Sequence, residues 1–203
     1  MHVAINALSL TNRSGTGRYT WGLIHGFIQW APPDFFLSVL IPSQFPIPPE
    51  WYHSTQARFY SIPMGGTGQR IVWEQWFLPG WVKKIRPDIL HSPAFIAPVM
   101  RSVKAKQIIT VHDLAFCRYP QTIPRARRWH YAWAVPASMR RADVVLTDTR
   151  IVADEIRRCF PAIRRVIPIP LGVDTARFQP RPSDYDQEIL ARYQIHAPYL
   201  LFV

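Results

Sequence analysis

A histidine followed by an aspartate, His112 and Asp113, offers the clearest acid–base chemistry in this sequence. The pair stands in the segment Thr-Val-His-Asp-Leu, after an apolar run that predicts a strand over residues 107–111. Ligands of open α/β sheets bind beyond the carboxyl ends of strands, where a histidine can contact a substrate hydroxyl or transfer a proton. Two plainer interpretations stay open: a histidine hydrogen-bonded to backbone, and an aspartate that caps the next segment.

A glycine-rich turn, Ser-Gly-Thr-Gly-Arg-Tyr-Thr, predicts an anion site at the start of the first helix. Gly15 and Gly17, with Thr16 between them, let the backbone approach a ligand closely. The helix that follows directs unpaired N–H groups at phosphate or carboxylate, and Arg18 adds a guanidinium. An ordinary strand-to-helix turn is the alternative. Thr20 stands where a dinucleotide fingerprint needs a third glycine, and the absence of Gly-Lys-Ser/Thr excludes a P-loop.

The positive charge of the chain is concentrated in one stretch. The net charge is +11, and residues 101–165 carry 14 basic and 5 acidic side chains, or +9. Such a field favours anionic partners. Residues 124–134 predict a basic helix, and an anionic membrane surface is one interpretation of four of its residues: Arg125, Arg127, Arg128 and Trp129. A solvated arginine face with the tryptophans in the core is another, and no recognition-helix or zinc pattern supports nucleic acid.

Residues 64–70, Met-Gly-Gly-Thr-Gly-Gln-Arg, form a second glycine-rich helix start. A mobile acceptor loop and a plain connector are both compatible with it. Trp73, Trp76 and Phe77 follow, and they share helical spacing with Leu78 and Trp81. That spacing predicts that the three aromatic residues belong to the core rather than to a sugar-binding platform.

Other catalytic chemistries find no support in the sequence. Cys117 and Cys159 lack metal-ligand spacing, and Asp143 and Asp148 flank a strand without an Asp-x-Asp pattern. No Gly-x-Ser-x-Gly elbow is present for a serine nucleophile. We therefore expect no metal ion. The two cysteines suit a reducing cytoplasm, the first residues do not resemble a secretory signal, and no apolar run reaches the roughly 18 residues of a spanning helix.

Short β-branched runs alternate with longer amphipathic stretches, which predicts an α/β fold with a mainly parallel sheet and flanking helices. Hydrophobic residues make up 48% of the 203 positions, enough for a substantial core. The predicted strands are 2–6, 36–41, 58–62, 88–91, 107–111, 144–147 and 165–169. The predicted helices are 18–30, 69–84, 124–141, 151–159 and 184–193.

The pattern changes after Pro170. Residues 1–170 predict one domain, and residues 171–183 predict a connector that leads to the last short helix. Residues 199–203, Tyr-Leu-Leu-Phe-Val, have the composition of a strand buried between neighbours, which the preceding domain does not offer. We therefore expect residues 171–203 to hold a connector, a short helix and the first strand of a second domain that this chain does not complete.

Five segments, in this order, resemble the N-terminal half of a retaining glycosyltransferase of the GT-B fold, in family 4 (group 1). They are the opening strand with SGTGRYT, RPDILHSP at 86–93, TVHDL at 110–114, RRADVVLTDTR at 140–150 and VIPIPLGVDTARFQP at 166–180. The resemblance implies a Rossmann-like, acceptor-binding N-terminal domain. It also implies that residues 199–203 begin the C-terminal domain.

The resemblance further implies an activity and roles for individual residues. The reaction would move a sugar from a nucleotide-diphosphate sugar to an acceptor, with the anomeric configuration retained and without a divalent metal. His112 would lie near the reacting sugar with Asp113 beside it, and residues 15–18 would meet the donor phosphate or the acceptor. Most donor contacts, including two glutamates seven residues apart, belong to the family's second domain. We therefore expect the chain alone to be inactive.

The partners implied are a nucleotide sugar, a sugar or lipid-linked acceptor, and the missing C-terminal domain. Polysaccharide assembly on a lipid carrier would place the protein in the cytoplasm, at the inner face of the membrane, and nucleic acid is not expected. A function of a different class stays open on the charge of residues 101–165: a non-catalytic α/β module that binds anions or a membrane surface.

Overall fold

One seven-stranded parallel sheet organises the described part of the chain in this computed structural model, with the order β3-β2-β1-β4-β5-β6-β7. The structure describes residues 1–12, 14–99, 104–175, 178, 184–196 and 198–200. The strands are β1 (His2–Asn6), β2 (Phe36–Pro42), β3 (Ala57–Ile62), β4 (Ile89–Ser92), β5 (Lys106–Thr110), β6 (Val144–Thr147) and β7 (Val166–Pro168). The predicted α/β fold with a parallel sheet is confirmed, and every strand lies within two residues of its predicted bounds.

Helices flank the sheet and connect most of its strands. They are α1 (Gly15–Trp30), α2 (Pro49–Tyr52), α3 (Thr67–Trp76), α4 (Leu78–Ile85), α5 (Ala115–Arg118), α6 (Arg125–Arg141), α7 (Arg150–Cys159) and α8 (Asp184–Arg192). Among the described residues, no helix combines the length and the apolarity needed to cross a bilayer.

The sheet is buried on both faces, as the near-continuous apolar strands require. Successive residues of β1 face opposite ways, so Val3 and Ile5 join one core cluster and Ala4 joins another. A third cluster forms where β5 and β6 meet α6 and α7, and Ile109 is completely buried in it. Each such aliphatic side chain contributes about 1.5–3 kcal/mol by leaving water. The core therefore fixes the strands, and the strands fix the loops that follow them.

The strand order reverses between β1 and β4. From β1 the chain continues through β2 to β3 on one side, whereas β4 lies on the other side of β1 and leads to β5, β6 and β7. The loops that follow β1 and β4 therefore diverge, which opens a crevice at the carboxyl edge of the sheet. This topological switch point is where an α/β sheet of this kind binds its ligands.

The predicted helix over residues 69–84 is wrong as a single element. It breaks into α3 and α4 at Phe77, because Pro79 lacks the N–H that a continuous helix needs and its ring clashes with the preceding turn. The spacing that linked the aromatic residues to Trp81 is therefore not maintained. Trp73 does pack against the core, but Trp76 is 69% exposed and Phe77 is 58% exposed, so their predicted burial is wrong.

Helix α1 begins at Gly15, three residues earlier than predicted, and its first turn lies tightly against the preceding loop. A Cβ atom at Gly17 would collide with the backbone carbonyl oxygen of Asn12 and lie 3.1 Å from that of Ser9. Gly17 is therefore required for packing. A Cβ atom at Gly15 would meet no other atom within 4 Å, so packing does not require glycine there.

The chain divides into two units, Met1–Pro170 and Leu171–Val203. The second unit contains α8, close to the helix predicted there. Residues 201–203 of the strand predicted at the end lie outside the described residues, and Tyr199 and Leu200 are not in a strand. The assignment of this unit as a connector with the first strand of another domain stays a prediction.

We expect Gly17→Ala to lower the free energy of unfolding by about 1–3 kcal/mol, because the added methyl group overpacks a contact with backbone that cannot turn away. Gly22→Ala is the matched control on the same helix, where a Cβ meets open space. That change is expected to be neutral or to stabilise by about 0.5–1 kcal/mol, since alanine favours helix. Urea unfolding followed by circular dichroism measures both, and equal midpoints for the two variants would contradict the packing role.

Candidate functional site

Polar side chains end four neighbouring strands of the sheet. Asn6, Ser92, Thr110 and Thr147 close β1, β4, β5 and β6, and all four are buried. Because the strands are parallel, these residues and the loops beyond them meet at the carboxyl edge, on both sides of the switch point. The candidate site is built from those loops and from the helix starts behind them.

His112 follows β5 and pairs with Asp148, which follows β6. The Nδ1 atom of His112 lies 2.8 Å from Oδ2 of Asp148, and Nε2 lies 2.9 Å from the Pro93 carbonyl oxygen. A carbonyl oxygen only accepts, so Nε2 carries a proton and donates it. With both nitrogens bonded to protein, the ring has a fixed orientation and neither nitrogen is free for a substrate hydroxyl.

Asp113, predicted to act beside His112, bonds to the backbone of its own loop, and its catalytic role stays a prediction. Its Oδ1 atom accepts a hydrogen bond from the Ala115 N–H at 2.8 Å, at the start of α5. This is the capping interpretation that the sequence left open. The partner of the histidine is Asp148, 36 residues further along the chain, which sequence reasoning had considered only for metal binding. The sequence offered one signal for this pair. Both residues come directly after strands, and those two strands are adjacent in the parallel sheet.

Two aromatic rings enclose the His112 imidazole. Tyr19 of α1 and Phe95, in the loop after β4, meet it edge to face at centroid distances of 4.8 Å and 5.3 Å. Phe95 has a φ of 65°, in the left-handed region that a bulky residue rarely adopts. Strain of this kind persists where the surroundings hold it, typically at functional sites. Here it turns the Phe95 ring between His112 and Tyr131.

A buried hydrogen-bonded layer lies beneath this histidine. The Nε2 atom of His91 lies 2.9 Å from the Thr110 hydroxyl, which in turn lies 3.3 Å from the Tyr19 hydroxyl. Burial, with the nearby His112 as a smaller cause, lowers the pKa of His91 from 6.5 to about 4. Burial also raises the pKa of Tyr19 above its ordinary value. Both groups are therefore neutral near pH 7 and serve as hydrogen-bond partners.

A cavity of about 290 Å³, named here the switch-point pocket, opens between the loops after β1 and β4. Two of the predicted site residues line it: Thr16, in the first turn of α1, and Arg127, in the first turn of α6. The complete lining is Asn12, Ser14, Thr16, Arg70, Ala94, Phe95, Arg127 and Tyr131. These eight residues include two arginines and no carboxylate.

Arg70 reaches the pocket from α3 and rests on a buried carboxyl group. Its Nε atom lies 3.5 Å from Oε1 of Glu74, which is 3% exposed, and the amide Nδ2 of Asn6 donates to the same oxygen at 3.0 Å. Burial raises the pKa of Glu74, against the opposing effects of the Arg70 charge and the Asn6 hydrogen bond. Sequence reasoning placed Arg70 only in a loop motif and missed Glu74, although their i, i+4 spacing was readable.

The remaining predicted site residues lie outside this lining. Gly15 and Arg18 are exposed, and Gly17 is buried against backbone. On α6, Arg125 and Arg128 are exposed, while Trp129 is 78% exposed and Trp133 is 59% exposed. The alternative that placed the tryptophans of this helix in the core is wrong, because that side of α6 faces away from the sheet.

A second cavity, of about 630 Å³, lies beside the glycine-rich loop that precedes α3. It is mostly apolar, and Val72, Trp73 and Phe77 supply much of its wall. In residues 1–12, 14–99, 104–175, 178, 184–196 and 198–200, no group of three His, Cys, Asp or Glu side chains is placed to hold a metal ion.

Acidification is expected to destabilise the protein through His91. An unfolded histidine titrates near 6.5 and the folded one near 4, so the unfolded state binds more protons between these values. The free energy of unfolding therefore falls as the pH drops through this interval, by up to about 3 kcal/mol. Urea unfolding at about pH 7 and about pH 4.5 measures the change. We expect His91→Gln to reduce this loss of stability on acidification. His53→Gln, at an exposed position, should leave the loss unchanged. If both variants lost the same stability on acidification, the assignment to His91 would be contradicted.

Three solved structures illustrate the likeness of this fold to known proteins. The fold is similar to the apo form of the lipopolysaccharide outer core galactosyltransferase WaaB, with TM-score 0.51, 13% identity, and coverage of 92% of this chain and 50% of that one. It is also similar to apo UGT2 of Phytolacca americana (TM-score 0.54, 10% identity, 94% and 55% covered). A third is a sucrose-phosphate synthase of Thermosynechococcus elongatus (TM-score 0.51, 12% identity, 96% and 97% covered). The chain thus spans about half the length of the first two.

A search of curated proteins by sequence found no significant match. The family profile described as Glycosyltransferase Family 4 matches residues 13–177, which is most of the chain and includes His112, Asp148 and seven of the eight residues that line the switch-point pocket. The structural likeness adds that the chain shares its fold with about half of each of the first two structures. The chain therefore belongs to glycosyltransferase family 4 and has the fold of an N-terminal GT-B domain.

Proposed function

We propose that the protein transfers a sugar from a nucleotide-diphosphate sugar to an acceptor with retention of the anomeric configuration, and that this chain forms the acceptor side of the site. One observation carries the proposal: in a family 4 fold, a positively charged pocket opens at the switch point beside an oriented His112–Asp148 pair. The bond from the anomeric carbon to the diphosphate breaks and a bond to the acceptor oxygen forms. The hydroxyl proton of the acceptor passes to the departing nucleoside diphosphate.

This reaction requires stabilisation of an oxocarbenium-like centre and of a departing diphosphate. The start of α1, with Gly15 open to solvent and no acidic residue in its first turn, supports a contact with diphosphate oxygens. Arg18 is exposed at the same helix start and adds a positive charge. Helix starts and arginines supply the charge compensation that a divalent cation gives in other transferases, so we expect activity to persist in chelator.

His112 acts in this proposal as an oriented group beside the reacting sugar. Its two hydrogen bonds hold the ring, and the aromatic contacts of Tyr19 and Phe95 exclude water around it. Asp148 is then a positioning residue that acts through His112. Asp113, at the start of α5, supports the loop only.

We expect Asp148→Asn to lower the transfer rate on the order of 10²-fold, since a misplaced site group costs about that much. Asp113→Asn is the matched control in the neighbouring loop and is expected to change the rate less than about threefold. The assay measures release of nucleoside diphosphate by the protein completed with its second domain, for each variant. Equal losses for both, at unchanged unfolding midpoints, would show that the His112–Asp148 pair has no special role.

The second part of the proposal is a split site, in which a second domain supplies most of the donor contacts. It is supported by the chain's spanning only about half of the WaaB and UGT2 chains that it matches. We expect the 203-residue chain to bind nucleotide-diphosphate sugars with a Kd weaker than about 1 mM and to catalyse no transfer alone. Isothermal titration with a panel of UDP- and GDP-sugars measures this binding. Micromolar affinity of the isolated chain would overturn the split.

The exposed face of α6 supports a lipid-linked acceptor at the inner surface of the membrane, and hence a cytoplasmic location. Arg125 and Arg128 lie on this helix with Trp129 and Trp133, all of them exposed. Tryptophan is favoured at the membrane interface and arginine at anionic headgroups. The same helix contributes Arg127 to the switch-point pocket, so a membrane contact here would bring that pocket close to a lipid-borne substrate.

A further inference from the structure

Three helices contribute side chains to the switch-point pocket. Ser14 and Thr16 belong to the start of α1, Arg70 is the fourth residue of α3, and Arg127 is the third residue of α6. The start of α1 has neither a side-chain cap nor an acidic residue in its first turn, whereas the Thr149 side chain caps α7 by accepting from the Val152 N–H. The positive end of the α1 dipole therefore lies at the cavity that the two arginines line.

Two guanidinium groups add to this field. Arg127 forms no ion pair within the residues that the structure describes. It lies in the first turn of α6, where the positive end of the helix dipole repels its positive charge. Arg70 contacts Glu74 through Nε, and the described hydrogen bonds give its terminal amino groups no protein acceptor. A concave site with two guanidinium groups, of which only Arg70 has a carboxyl partner among the described residues, favours an anion with several oxygens.

Glu74 fixes the position of Arg70. Its carboxyl group is almost completely buried behind the pocket, and it bridges Arg70 and the Asn6 amide at the end of β1. Asn6 belongs to β1, an interior strand that pairs with β2 and β4, so the Arg70 guanidinium is linked through Glu74 to the interior of the sheet. The Nε atom of Arg70 is itself buried without a hydrogen bond, so the arginine is not simply a solvated surface residue.

The size and walls of the pocket restrict the ligand. A volume of about 290 Å³ is at the lower end for small-molecule sites and is too small for a whole nucleotide sugar. Phe95 and Tyr131, stacked with centroids 6.0 Å apart, supply the aromatic wall. The donors approach from three helices, which suits the tetrahedral oxygens of a phosphate better than the planar pair of a carboxylate.

We propose that the switch-point pocket binds a phosphate group carried by the acceptor, with Arg70 and Arg127 as its ligands and Glu74 as the residue that positions Arg70. This proposal rests on the proposed glycosyl transfer and adds the class of acceptor: a phosphorylated sugar or a lipid-linked phosphate, which present the same group to the pocket. The phosphate anchors the acceptor while its hydroxyl group reaches toward the His112 side of the site.

Titration of the intact chain with inorganic phosphate tests the pocket without need of activity, with isothermal titration and the nitrogen-bound proton signals of arginine side chains as readouts. Loss of one charged hydrogen-bond partner is expected to weaken binding about 10- to 100-fold, so Arg127→Gln and Arg70→Gln should each do so. Arg140→Gln, exposed in the last turn of the same helix, is the matched control and should leave the Kd within about twofold. Equal Kd values for Arg140→Gln and Arg127→Gln would overturn the site.

The positioning role of Glu74 has its own readout. Glu74→Gln should weaken phosphate binding several-fold in the parent chain and have no effect on binding in the Arg70→Gln background, because it acts through Arg70. Urea midpoints of both variants separate this from a loss of fold, and rescue of affinity by Glu74→Asp supports positioning. An equal effect of Glu74→Gln in both backgrounds would overturn the role.

Vesicles distinguish the two sources of the phosphate. Flotation with phosphatidic acid in phosphatidylcholine, against phosphatidylcholine alone, should depend on Arg70 and Arg127 if the group is lipid-borne. If vesicle binding depends on Trp129 but not on the two arginines, the phosphate in the pocket comes from a phosphorylated sugar. In the completed enzyme, transfer to a phosphorylated acceptor with kcat/KM unaffected by Arg127→Gln would overturn this inference and leave the glycosyl transfer standing. Phosphate binding without any transfer would overturn the proposed function and leave the pocket standing.

Discussion

Parallel pairing of β1 with β4 is the constraint on which the site depends. Val3, Ala4 and Ile5 lie in register with Ile89, Leu90 and His91, and this ladder joins two halves of the sheet whose connections run in opposite directions. The crevice at the carboxyl edge exists because the loops must part there. Asn6, at the end of β1, links this strand pairing to the pocket. Its amide donates a hydrogen bond to the Glu74 carboxyl group, which forms an ion pair with Arg70. The positive pocket is thus attached to the centre of the sheet.

Burial determines the protonation of the groups beneath the site. His91 and Glu74 both lie in the core layer under the carboxyl edge, and in both cases loss of water opposes the charged form. The low pKa of His91 leaves a neutral ring near pH 7 that bonds to Thr110. At Glu74, the Arg70 charge and the Asn6 hydrogen bond oppose the effect of burial on the pKa of the carboxyl group.

The sequence was sufficient to predict the strands and their parallel arrangement, because continuous apolar runs such as residues 36–41 can only be buried between neighbours. It also located the loops after β1 and β5. It did not predict which side chains meet, since His112 and Asp148 are brought together by strand order rather than by spacing. The prediction that Trp76 is buried was wrong for a local reason. The helix breaks before Pro79, whereas an argument from helical spacing assumes one continuous helix.

The uncapped start of α1 and the two arginines of the pocket have a consequence for the ligand-free protein. Positive charge that the Glu74 carboxyl group balances only in part lowers the stability of the folded state, and the strained backbone of Phe95 adds to that cost. An anion that enters the pocket removes part of this repulsion and binds only the folded chain. Each tenfold rise in its concentration above the dissociation constant then adds about 1.4 kcal/mol to the free energy of unfolding. With the acceptor phosphate proposed above as that anion, the stability of the folded chain would follow the supply of the acceptor.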